Sequence, residues 1–137
     1  MFFNKKIKEI GGILFKSTID TFKSFECMYL ILMYHSVTKE TLKNYHDSAM
    51  FVSSKTFEMH IKEISQFFDI VPLESIVEPN QKKRRLCAIT FDDGWVDNYE
   101  NAFPILKKFN VPATIFIPAE VIGAKKRFWF QSIWDIW

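Results

Sequence analysis

The sequence predicts an α/β fold with parallel strands, and three observations carry that expectation. Apolar runs of strand length recur at Met28–Tyr34, Leu86–Phe91 and Pro112–Ile117. The segments between them repeat their apolar residues at helical spacing. Strands that alternate with helices form parallel sheets, because each parallel connection must cross over the sheet. Such folds place their chemistry at the carboxyl ends of strands.

The elements follow in chain order. Ile7, Ile10, Leu14, Phe15, Ile19, Phe22 and Phe25 are helically spaced around the break at Gly11-Gly12. They predict a helical extension over residues 1–26, of one or two short helices lying against the domain. Lys5, Lys6, Lys8, Lys16 and Lys23 give it a polar face, which would also suit a membrane surface. Met28–Tyr34 is continuously apolar and reads as a central strand buried on both faces. Thr38–Val52 is polar and irregular and reads as a long loop. Ser53 and Ser54 offer an N-cap, and Phe57, Ile61, Ile64 and Phe68 predict an amphipathic helix over residues 55–67.

Asp69–Val71 reads as a short strand and Leu73–Val77 as a helical turn. Lys82-Lys83-Arg84-Arg85 reads as a solvated turn, with contact to an anionic polymer as the sharper alternative. Leu86–Phe91 is the second core strand, closed by Asp92-Asp93-Gly94. Val96, Tyr99, Phe103, Leu106 and Phe109 predict a helix that kinks or restarts at Pro104 and ends at Asn110. Pro112–Ile117 is the third strand. Phe128, Trp129, Ile133, Trp134 and Trp137 predict a closing helix, or an aromatic platform for sugar rings.

Composition narrows the function classes. The chain has 137 residues and is 48% apolar, which fits one folded domain. Its net charge of +2 makes no case for nucleic acid. Cys27 and Cys87 form no framework and read as small buried side chains. The longest apolar run, Cys27–Tyr34, is too short to span a membrane. Ile10–Phe15 is too short for the core of a secretory signal, so the compartment stays open between cytoplasm and cell envelope.

Three positions stand out chemically. Asp92 and Asp93 are adjacent carboxylates at a strand end, and their mutual repulsion is relieved if a cation binds one of them. The other could then act as a base on a water molecule. The competing reading is a turn that caps the next helix. His35 also follows a core strand and is either a hydrogen-bonded structural residue or, near the two carboxylates, a general acid or a ligand. His46 reads as solvent-facing, and His60 as packing at the edge of the core.

Thr90-Phe91-Asp92-Asp93-Gly94 resembles the first motif of the polysaccharide deacetylases, the NodB homology domain of carbohydrate esterase family 4. Ile31-Leu32-Met33-Tyr34-His35 resembles the opening strand of one branch of that family. Phe57–Leu73 and Asp97–Phe116 resemble the segments around the first motif, so the likeness covers roughly residues 28–137.

The resemblance implies a distorted (β/α) barrel that removes acetyl groups from a polysaccharide. It implies a divalent metal, zinc as first choice, with Asp93 as a ligand. Asp92 would be the catalytic base and His35 the general acid. The family's second motif supplies two histidine ligands, and it does not occur before Trp137. Residues 27–137 are therefore expected to be the amino-terminal portion of such a domain. Alone, it is expected to bind metal weakly, to show little or no deacetylation and to self-associate through exposed apolar surface. The alternative is a binding module that retains half the fold without catalysis.

Overall fold

The computed structural model describes residues 27–39, 50–76 and 85–123. The predicted extension over 1–26, His46, Lys82–Arg84 and the aromatic segment Phe128–Trp137 lie outside the described residues. The elements are β1 (Met28–Tyr34), β2 (Ser36–Thr38), β3 (Phe51–Ser53), α1 (Ser54–Ile64), β4 (Asp69–Ile70) and β5 (Arg85–Phe91). A π-helical segment (Asn98–Ala102), α2 (Phe103–Phe109) and β6 (Thr114–Ile115) follow, with 3-10 turns at Leu73–Ile76 and Ala119–Val121.

β5 is the spine of a four-stranded parallel sheet. It pairs with β1 along its whole length, with β4 at its amino end and with β6 at its carboxyl end. Its apolar run therefore does become a central strand, buried from Leu86 to Phe91. A second, small parallel pair joins β2 to β3. The fold is thus α/β with parallel strands, as the alternating pattern predicts.

α1 explains how the sequence builds its core. Ser53 caps it by accepting the backbone N–H of Thr56 at 3.1 Å, a bond that contributes about 1 kcal/mol. Phe57, Ile61 and Ile64 fall on one face and are buried, each worth about 1.5–3 kcal/mol against exposure. They pack with Tyr34, Val37, Ile89 and Phe91 in one cluster and with Phe68 and Cys87 in another.

Several expectations change. β1 is not buried on both faces: Tyr29, Ile31 and Met33 are exposed, and Met33 reaches 60%. Among the described residues β1 pairs only with β5. A uniformly apolar run cannot distinguish this from a central strand. The loop predicted over Thr38–Val52 has strands at both ends, because Ser36–Thr38 pairs in register with Phe51–Ser53. Those strands are three residues long, too short for periodicity to reveal. The third strand shrinks to Thr114–Ile115 between flanking prolines. Cys87 is buried as expected, whereas Cys27 is exposed because it precedes the first strand residue.

The helix after β5 differs most. Val96, Tyr99 and Phe103 were its expected apolar face, yet all three are exposed. Leu106, on the same expected face, is buried and Phe109 is partly so, while Asn98, Ala102 and Ile105 are buried from outside that face. The cause is the π-helical turn, which inserts extra residues and shifts the register that α-helical spacing assumes. Pro104 then sits in the first turn of α2, where a missing N–H costs nothing. Asn110 ends the helix in the left-handed region, as expected.

Candidate active site

The register between β1 and β5 assembles the site. Tyr34 lies opposite Phe91, the last pair of the ladder. The Asp92 N–H extends that ladder by donating to the Tyr34 carbonyl at 2.9 Å. Both strands therefore leave the sheet side by side, and the next residues are His35 and Asp92. His35 Nε2 lies 4.0 Å from Asp92 Oδ2, with side-chain exposures of 23% and 34%. The two groups face one another beyond direct hydrogen-bond length. They remain open to solvent and to a ligand. His35 and Asp92 thus meet at one end of the sheet, as the sequence predicts.

Asp93 takes φ 70°, in the left-handed region. A non-glycine residue there is uncommon, and aspartate tolerates it better than most. Its Oδ2 accepts the Trp95 Nε1–H at 3.3 Å. The Trp95 ring stands edge-on to Phe51 at 6.4 Å, which ties this carboxylate to β3. Gly94 follows at φ 63°, and a Cβ added there would come within 3.1 Å of Ile117 Cγ1. Both strain and crowding oppose a side chain. Gly94→Ala should therefore lower unfolding stability by about 1–2 kcal/mol in urea denaturation. An unchanged midpoint would show that this turn has room to relax.

Sequence reasoning missed a polar network behind His35. Ser36 Oγ donates to Asp97 Oδ2, and the Val37 N–H donates to Asp97 Oδ1 at 3.3 Å. Asn98 Nδ2 donates to the His35 carbonyl at 2.7 Å and to Asp97 Oδ1 at 3.2 Å. Asn101 Nδ2 donates to the Val37 carbonyl at 2.7 Å. Burial pushes the Asp97 carboxyl above its usual range, opposed by the bonds from Ser36 and Val37, with Glu100 adding a smaller upward push. The sequence carried no clear signal for it, because Asp97, Asn98 and Asn101 occupy the polar positions of the predicted amphipathic helix.

Under the site lies an aromatic floor. Tyr34 packs edge-on to Phe57 at 5.0 Å and against Phe91 at 5.7 Å. Its hydroxyl meets His60 Nδ1 at 3.1 Å. Burial raises the Tyr34 phenol and lowers the His60 imidazole, so a protonated hydroxyl meets a neutral ring. A histidine whose folded pKa is depressed stabilises the fold above its ordinary pKa of about 6.5. That contribution is lost as pH falls through the folded value. Unfolding free energy should therefore drop between pH 7 and pH 5, less steeply in His60→Gln. Parallel pH dependences in urea titrations of the two proteins would remove His60 as the cause.

A groove of about 610 Å³ lies between α2 and β6, lined by residues such as Phe91, Tyr99, Phe103 and Ile115. Neither His35, Asp92 nor Asp93 borders it, and its walls are mainly apolar. The strand-end cluster is therefore the better candidate for chemistry. Among the described residues, no three His, Cys, Asp or Glu side chains form a group able to hold a metal. Asp93 offers a carboxylate oxygen of the kind that suits a divalent cation, and one carboxylate is fewer donors than such a site uses.

Fold and cluster define an α/β protein with a histidine and paired carboxylates at the carboxyl ends of adjacent parallel strands. The polysaccharide deacetylase family matches residues 79–132, which contain Asp92-Asp93-Gly94. The chain is 37% identical over 100 residues to YxkH of Bacillus subtilis (strain 168), named as a polysaccharide deacetylase, covering 69% of this chain and 33% of that one. It is 34% identical over 96 residues to the poly-beta-1,6-N-acetyl-D-glucosamine N-deacetylase of Staphylococcus aureus (strain MSSA476), covering 67% and 31%. The solved de-N-acetylase of Aggregatibacter actinomycetemcomitans superposes with a TM-score of 0.53 at 26% identity, over 64% of this chain and 36% of that one. The chain is similar to the polysaccharide deacetylase family over residues 79–132, as its Thr90–Gly94 motif implies. It spans about a third of the length of the curated relatives it matches.

Proposed function

We propose that these residues contribute the base, the acid and one metal ligand to the hydrolytic removal of acetyl groups from a polysaccharide. The observation that carries this reading is the 4.0 Å approach of His35 Nε2 to Asp92 Oδ2 across two strand ends, with Asp93 adjoining. Asp92 takes a proton from the attacking water as its oxygen bonds to the acetyl carbon. His35 gives a proton to the departing sugar nitrogen as the carbon–nitrogen bond breaks, leaving acetate and a free amine. Asp93 would hold in part a divalent cation such as zinc, which would supply Lewis-acid polarisation of the carbonyl. Asp93 is suited to that task because its backbone and its Trp95 contact fix the carboxylate in place.

The relatives' names favour N-linked acetyl groups on glucosamine polymers as substrates. The test is incubation with zinc and N-acetylated β-1,6-glucosamine oligomers, measuring acetate and new amine together. Equal yields are expected. Acetate without amine from an O-acetylated polymer would move the reaction to esters, and no acetate from either polymer would overturn the reading.

A further inference from the structure

We infer that Asp97 and Asn98 are positioning residues that hold the His35 loop so that the imidazole faces Asp92. The inference rests on reading His35 as the general acid. His35 is the single residue between β1 and β2, so no sheet ladder fixes its own carbonyl. The fixing comes from the segment after β5, some sixty residues further along the chain. Three consecutive residues are held there in turn: the His35 carbonyl by Asn98, the Ser36 hydroxyl by Asp97 and the Val37 N–H by Asp97. Asn101 adds a fourth bond at the Val37 carbonyl.

The chemistry of each side chain suits this work. Both groups facing Asn98 Nδ2 are acceptors, so its amide must present its NH₂ end to them. Aspartate at the same position would set an oxygen against an oxygen. Asn98 is only 3% exposed, so its bonds are shielded from competing water. Asp97 uses both carboxylate oxygens on adjacent residues of β2, directly after His35, which fixes that strand's rotation as well as its distance. The π-helical turn begins at Asn98, a distortion often found at functional sites. The clamp and the catalytic carboxylate also share one short connection, Asp92 to Asn98.

The test compares wild type with Asn98→Asp, which keeps the shape and removes the donor, and with Ser36→Ala, which removes one Asp97 bond. NMR follows the imidazole signals of His35, assigned by their loss in His35→Ala, and amide exchange at Val37. Asn98→Asp should shift the His35 signals, leave those of His60 in place and speed Val37 exchange about tenfold. With substrate, kcat should fall about tenfold at unchanged KM, and His35→Ala/Asn98→Asp should be no slower than His35→Ala. Ser36→Ala should move each readout the same way by less, and it decides the question if Asn98→Asp fails to fold. Unmoved His35 signals in a folded variant, or losses that add in the double variant, would overturn the inference. If wild type releases no acetate, the proposed function fails, while the NMR arms still decide whether the clamp exists.

Discussion

Asp92→Asn should lower kcat for acetate release about 1,000-fold while the protein keeps its fold, because a positioned general base typically contributes about 100- to 10,000-fold. Asparagine copies the shape of aspartate and cannot take the proton. The backbone N–H of Asp92 still donates to the Tyr34 carbonyl, so the junction of β1 and β5 survives. The Asp92 side chain is 34% exposed, so neutralising it strands no buried partner. KM should stay near its wild-type value, since the lost interaction operates in the transition state. Steady-state kinetics beside a thermal melt make the measurement. A folded variant with wild-type kcat would place the base on another residue.

How far the sequence reached depends on the range of each interaction. The Met28–Tyr34 and Leu86–Phe91 runs end one residue before His35 and Asp92. Parallel, in-register pairing was then enough to bring those two residues together. The clamp on His35 was illegible for the opposite reason. Its bonds join side chains at 97, 98 and 101 to groups at 35–37, and no periodicity reports a contact across sixty residues. The helical pattern also misled there. Val96, Tyr99 and Phe103 fit an α-helical stripe, whereas the π turn buries Asn98 and Ala102. Asp97, Asn98 and Asn101 fall off that stripe, where an amphipathic helix carries polar residues anyway, so the local pattern gave no clue to them.

The roles of the two carboxylates separate most cleanly at Asp93, provided the substitution respects its backbone. Its φ of 70° lies where alanine is strained and asparagine is tolerated. Asp93→Ala would therefore mix a ligand loss with a folding defect of about 1 kcal/mol. Asp93→Asn avoids that confusion. An amide oxygen can still accept from Trp95 Nε1, so the link to Phe51 and β3 persists. What disappears is the negative charge, and with it most of the attraction for a divalent cation. Calorimetric zinc titration should show affinity reduced about 100-fold, comparable with or beyond the loss that removing an outer-shell partner produces. Asp92→Asn should weaken zinc much less, although it removes activity. The pair of variants thus predicts opposite signatures: catalysis lost with metal retained at Asp92, and catalysis lost through metal at Asp93. Excess zinc should restore part of the Asp93→Asn rate and none of the Asp92→Asn rate. Equal zinc affinity in wild type and Asp93→Asn would remove Asp93 from the ligand set.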